Sequence, residues 1–111
     1  MSPVTYLIIF DVVPERRDEF LMLLGGVLDA MRSESMFREA TLHRDPAREN
    51  RFMLHETWAS HQDVMEVQLA RPYRQAWHDA LPRLLQRERE VSMWQPVRSD
   101  RVPGECMAAP H

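Results

Sequence analysis

The chain has 111 residues, 44% of them hydrophobic and 28% charged, with a formal net charge of -3. That length sets a single domain with a modest core, one that pairing with a second copy would help to stabilise. The negative balance and the scattered basic residues exclude an electrostatic nucleic-acid surface. No apolar run approaches a membrane span and no signal peptide is visible, so a cytoplasmic protein is expected.

All 14 basic residues are arginine. The lack of lysine excludes Schiff-base, pyridoxal-phosphate and P-loop lysine chemistry, and it is the usage expected of a GC-rich bacterial coding sequence. The glycines are Gly25, Gly26 and Gly104, from which no Gly-x-Gly-x-x-Gly nucleotide loop can be made. A single cysteine, Cys106, rules out an internal disulfide.

Residues 4–13 are rich in β-branched and aromatic side chains and predict a first strand. Pro14 suits the first position of a helix, and Glu15, Asp18 and Glu19 follow where negative charge complements the helix dipole. Phe20, Leu24, Val27, Leu28 and Met31 recur at helical spacing. Gly25-Gly26 inside this helix either permits a close backbone approach to a sheet or ligand, or is a mild defect tolerated by packing.

A second strand is predicted over 37–43, a turn at Asp45-Pro46, and a third strand over 52–58. Alternation places Phe52, Leu54, Glu56 and Trp58 on one face of that strand and Met53, His55 and Thr57 on the other. Both faces carry large groups, so helices are expected to cover one and a partner sheet the other. Ser60 is a helix cap with Asp63 three residues on. Pro72 restarts the helix, and Tyr73, Trp77, Leu81, Leu84 and Leu85 form its apolar stripe, with a kink expected at Pro82. Residues 91–97 predict a fourth strand ended by Pro96, and 98–111 an irregular arm outside the domain of residues 1–97. The order βαββαβ implies an α+β, ferredoxin-like, four-stranded antiparallel sheet with helices on one face. Its bare face is the natural dimer surface.

The third strand with Glu56 and Trp58, the Arg44-Asp45-Pro46 turn, then Leu69, Pro72, Tyr73, Trp77 and Leu81, together resemble the antibiotic biosynthesis monooxygenase family of dimeric α+β barrels. The resemblance covers residues 4–97. One departure is Gln68, where many members place a histidine. The resemblance implies oxygenation of a quinol-like or polycyclic hydroxyaromatic by O2 in a homodimer, without flavin, haem or metal. A substrate anion then donates electrons to O2, and the protein supplies a base, oxyanion donors and a dry apolar slot. The alternatives are a non-catalytic dimer holding an apolar metabolite and a haem-binding or haem-degrading relative. The Asn, Trp and His set of the haem-degrading branch is not found at matching positions.

Histidine is the side chain best matched to a base near neutral pH. His55 is either that base or a dimer-face histidine, and His78 either contacts substrate or lies on a solvated helix face. His43 and His61 fall near turn or helix-start positions and are expected to be exposed. Tyr73 and Trp77 are four apart and either line an aromatic slot with O–H and N–H donors or belong to the core. Trp58 and Glu56 share a strand face; Glu56 ties down a helix end or a histidine, or contacts substrate. Gln68 either donates to a substrate oxygen or is a partly exposed helical residue. The expected catalytic set is therefore His55, Tyr73 and Trp77, and the expected substrate-binding set is Trp58, Glu56, Gln68 and His78. No metal site is expected, because His55-Glu56 and His61 do not have metal-ligand spacing. Greater loss of turnover is expected from His55→Ala than from His78→Ala.

Overall fold

Val4, Thr5, Ile8 and Ile9 with Tyr6 and Phe10 favour extended backbone, and they form strand β1 (Val4–Asp11). The computed structural model describes residues 2–103. Pro14 opens a single 3-10 turn, where its missing N–H is not needed, and helix α1 (Arg17–Met31) follows. Its buried face is Phe20, Leu24, Val27 and Met31, the three-and-four spacing of an amphipathic helix.

Strands β2 (Phe37–Asp45) and β3 (Arg48–Trp58) form a tight hairpin. Each runs closer to the turn than the propensities predict. The Asp45 carboxylate explains this: Oδ1 accepts the Ala47 N–H at 2.8 Å and Oδ2 accepts from Arg51 at 3.2 Å, pinning the turn so that the ladder closes against it.

Ser60 caps helix α2 (His61–Glu66), its hydroxyl oxygen accepting the Asp63 N–H at 3.1 Å. Two 3-10 turns, Gln68–Ala70 and Pro72–Arg74, then lead into helix α3 (Gln75–Leu84). The helix continues through Pro82, whose missing N–H leaves the His78 carbonyl without its usual helical donor. Strand β4 (Glu90–Trp94) is shorter than expected. The Thr5–Trp94 pairing sets Pro3 opposite Pro96 if the register is continued, and neither residue can donate to a further ladder. Residues 95–103 have no helix or strand, and Arg101 pairs with Glu39 at 2.6 Å. Gly104, Cys106 and Pro110 of the expected arm lie outside the described residues.

The sheet order is β2-β3-β1-β4, antiparallel throughout, which is the ferredoxin-like arrangement. One face carries Tyr6, Phe10, Phe52, Leu54 and Trp58 into a core with the helices. Phe20 is its centre, its ring 5.1 Å from Phe10, 5.2 Å from Phe52 and 5.7 Å from Trp77. The other face presents Leu7, Ile9, Met53 and His55, all half-buried, and an exposed Trp94. No helix among the described residues is long and apolar enough to cross a membrane.

Gly25 and Gly26 make no close approach, because a Cβ at either position would meet nothing within 4 Å. Gly26→Ala is therefore expected to raise stability by about 0.5–1 kcal/mol. A urea midpoint that fell instead would show a constraint at this turn of the helix.

Candidate functional site

The helix-covered side of the sheet is incompletely filled. A cavity of about 180 Å3 lies between β1, β3 and the helices, walled by Ile8, Leu24, Val27, Met31, Leu54 and Val64. Polar groups reach it from Tyr6, Glu56, Arg74, Trp77, His78 and Arg89. Outside it is an open groove of about 700 Å3 that shares Leu69, His78 and Arg89, so these three residues form the rim between inner cavity and outer groove.

Strand alternation brings Glu56 to this side, between Leu54 and Trp58. Trp58 is fully buried, its ring 5.3 Å from Phe37, and its indole N–H donates to Glu56 Oε1 at 3.2 Å. Burial pushes the Glu56 carboxyl above the usual carboxylate range, against the opposing pull of Arg74 and the Trp58 hydrogen bond. Tyr6 reaches the same cavity from β1, and its hydroxyl is 2.6 Å from Nδ1 of the exposed His61 at the start of α2. Burial, then the charge of Glu56, raises the Tyr6 phenol.

His78 projects from α3 one position past Trp77 and is half-buried at the rim. Burial holds its imidazole below the ordinary value of 6.5; Arg89 and Arg74 add to the shift and Asp79 opposes it. It is therefore neutral near pH 7, and it makes no hydrogen bond to another described side chain. Trp77 is buried, 5.8 Å from Phe10 and 5.7 Å from Phe20, with part of its surface on the cavity.

The structure thus brings Glu56, Trp77 and His78 together, with Trp58 directly behind Glu56. His55 lies elsewhere, on the opposite sheet face in a groove with Thr5, Leu7, Thr57 and Trp94. Adjacent strand residues point to opposite faces, so His55 and Glu56 cannot share a cavity within one chain. Tyr73 and Gln68 also stand off the cavity wall. Both are tied to Glu34 in the loop after α1, which accepts from Tyr73 Oη at 3.1 Å, Arg71 Nη2 at 3.1 Å and Gln68 Nε2 at 3.4 Å. The Gln68 amide nitrogen also donates to Asp63 at 3.0 Å, so its donors are engaged with carboxylates rather than free for a substrate. Tyr6, Arg74 and Arg89 complete the cavity and were not expected. For Tyr6 the signal was present, since it alternates with Val4, Ile8 and Phe10. Among the described residues, no group of three or more His, Cys, Asp or Glu side chains could hold a metal ion.

Glu34 latches the loop onto the turns that carry Arg74. Burial raises its carboxyl, but the bonds from Gln68, Tyr73 and Arg71 outweigh that and hold it below the usual range. Its stabilising effect is therefore complete above the unfolded-state value and lost as pH falls through the lower folded-state value. Glu34→Ala is expected to cost about 1–2 kcal/mol, the partly exposed Arg71 pair adding little, and to flatten the acid limb of a stability–pH curve. An unchanged curve would show that the latch does not hold in solution.

The antibiotic biosynthesis monooxygenase family model matches residues 3–89, from the start of β1 to the residue before β4. A protein of Pestalotiopsis microspora named "putative monooxygenase" is 30% identical over 94 residues, covering 84% of this chain and 74% of its own. Among solved structures, Rv0793 from Mycobacterium tuberculosis superposes with a TM-score of 0.80 at 21% identity, covering 90% of this chain and 100% of its own. A conserved protein from Methanosarcina mazei Go1 gives 0.78 at 15% identity, covering 86% and 93%. These structures share the fold, and with the match over residues 3–89 the chain belongs to the antibiotic biosynthesis monooxygenase family.

Proposed function

We propose that the protein is a cofactor-independent monooxygenase that binds a small quinol-like or polycyclic hydroxyaromatic in the helix-covered cavity and oxidises it with O2. Family membership and the Pestalotiopsis relative support a monooxygenase-like function. The observation that carries the finer reading is a neutral imidazole, His78, at the rim of an apolar cavity whose inner wall holds a buried carboxylate and a buried guanidinium.

The chemistry follows from those groups. His78 takes the phenol proton, and the phenolate passes electron density to a ring carbon. That carbon bonds to O2. Loss of the ring hydrogen with cleavage of the O–O bond leaves a carbonyl on carbon and releases the second oxygen as water, so phenol plus O2 becomes quinone plus water. The substrate supplies all four electrons. The apolar walls exclude bulk water, Trp77 lies against the ring, and Arg74 offers positive charge to the developing oxyanion. Tyr73 acts at one remove, through Glu34, on the turn that carries Arg74. The open sheet face, with Leu7, Ile9, Met53 and Trp94, is the surface on which two copies pair, and His55 belongs to that interface.

Turnover under 18O2 tests this: one labelled oxygen in the quinone product is expected. Tight binding of hydroxyaromatics without incorporation would identify a non-catalytic holder of an aromatic metabolite instead. The pH profile gives a second check. Activity requires neutral His78, so it falls as pH drops through a value below 6.5. Removing the positive charge in Arg89→Gln raises the His78 pKa, so the acid limb should move to higher pH. A limb that did not move would assign the titration to another group.

A further inference from the structure

We infer that the ligand of the inner cavity is a hydroxyaromatic carrying an aliphatic chain, and that the chain lies along the helix-side face of β4, on Val91 and Met93. This rests on the proposed role of the cavity as the substrate site and narrows the substrate class. Directly paired residues of an antiparallel sheet share a face. Val91 is paired with Ile8, and Met93 with Tyr6. Ile8 and Tyr6 belong to the cavity wall, so both β4 side chains stand on the cavity's own face of the sheet. Yet all five residues of β4 are exposed, and neither α1 nor α3 covers the strand. The floor of the cavity therefore runs on, uncovered, to the edge of the sheet.

The uncovered part is apolar. Val91 is 55% and Met93 58% exposed, and Met65 of α2, 55% exposed, lines the cavity together with Val91. Single exposed hydrophobics are ordinary on a protein surface. These stand at the open side of a cavity, where they leave apolar area in water that a ligand chain would cover. The occupant is a ligand chain rather than a protein. A few side chains on a five-residue strand are far too small for a protein interface, and the pairing surface proposed above is the opposite face of the sheet. Val91 and Met93 carry no charge to meet a polar substituent. The strand also sets the direction. His78 and Arg89 mark the rim, and β4 leads away from Arg89, past Val91 to Met93. Two residues of strand span roughly 7 Å, the length of about five or six extended methylenes. The cavity of about 180 Å3 holds the ring, so a chain of that length on the ring reaches the end of the shelf.

The test is a series of probes, 4-methylphenol, 4-butylphenol and 4-hexylphenol, titrated by calorimetry against the full chain. One side of the chain stays in water, so affinity should rise about twofold per added methylene, about 30-fold from methyl to hexyl. Met93→Ser should cut that gain by about threefold or more and leave 4-methylphenol binding within about twofold. The Met93 side chain is exposed, so its substitution leaves the core intact, and Val91→Ser is the second variant. Met22→Ser is the control: Met22 is 68% exposed on α1 and lines neither the inner cavity nor the outer groove, so the gain should be kept. Equal affinities across the series, no binding of 4-hexylphenol, a gain that survives both β4 substitutions, or a gain lost equally in Met22→Ser would overturn the inference. Oxygen uptake separates it from the catalytic reading. A chain-length gain that depends on β4, without uptake, leaves the inference and removes the monooxygenase; uptake with no chain-length gain in affinity does the reverse.

Discussion

His78→Ala is expected to lower turnover by about 100-fold or more while leaving stability within about 1 kcal/mol. The imidazole is half-buried at the cavity rim, neutral near pH 7, and free of hydrogen bonds to other described side chains. Its loss removes the only histidine lining the inner cavity among the described residues and takes little from the core. Steady-state O2 consumption with a hydroxyaromatic substrate reads the first effect, and a urea melt the second. His55→Ala is the matched comparison. It removes a histidine from the other sheet face, so it should change turnover by no more than a few-fold. Equal large losses in both variants would remove the distinction between the two faces on which the role of His78 rests.

Trp58→Ala should have the largest effect on stability, about 3–5 kcal/mol. The ring is fully buried, packs edge-on against Phe37 and lies under the Arg74 guanidinium. Its removal leaves a large void and also strips Glu56 Oε1 of its indole donor, stranding a buried carboxyl. Domains of this size have about 5–15 kcal/mol in total, so the variant should be largely unfolded at modest denaturant. Trp58→Phe separates the two effects, retaining much of the packing while losing the hydrogen bond, and should cost about 1–2 kcal/mol. A loss below about 1 kcal/mol for the alanine variant would show that Trp58 is not the packing centre of this end of the sheet.

Much of this fold is readable from periodicity alone. The alternation Phe52, Leu54, Glu56, Trp58 marks one face of β3, and all four side chains are buried, while Met53, His55 and Thr57 between them are half-buried. The stripe Phe20, Leu24, Val27, Met31 reads equally well on α1. Strand ends were not readable, because they depend on pairing: β3 extends back to Arg48 because Asp45 pins the turn, and β4 stops where two prolines face each other in the continued register.

The site was legible only in part, for physical reasons. His55 and Glu56 are neighbours in sequence, and nothing local says which of them meets the helices; that is decided by where α1 and α3 pack. His78 looks solvated because it is turned about 100° from Trp77 on the helix, yet it falls at the rim left open beside β4. Arg74 sits in a 3-10 turn where the 3.6-residue period is lost, so no pattern marks it as inward. Gln68 and Tyr73 look like substrate donors by residue type, but Glu34, distant in sequence, engages both.

Oxygen uptake by the purified protein with a panel of quinols, anthrones and hydroxynaphthoates, compared across wild type, His78→Ala and His55→Ala, bears most directly on where and whether this protein oxidises an aromatic. Consumption of one O2 per product in the wild type, retained in His55→Ala and lost in His78→Ala, is the predicted pattern. No uptake from any of these substrates, or loss confined to His55→Ala, would contradict a catalytic cavity beneath the helices.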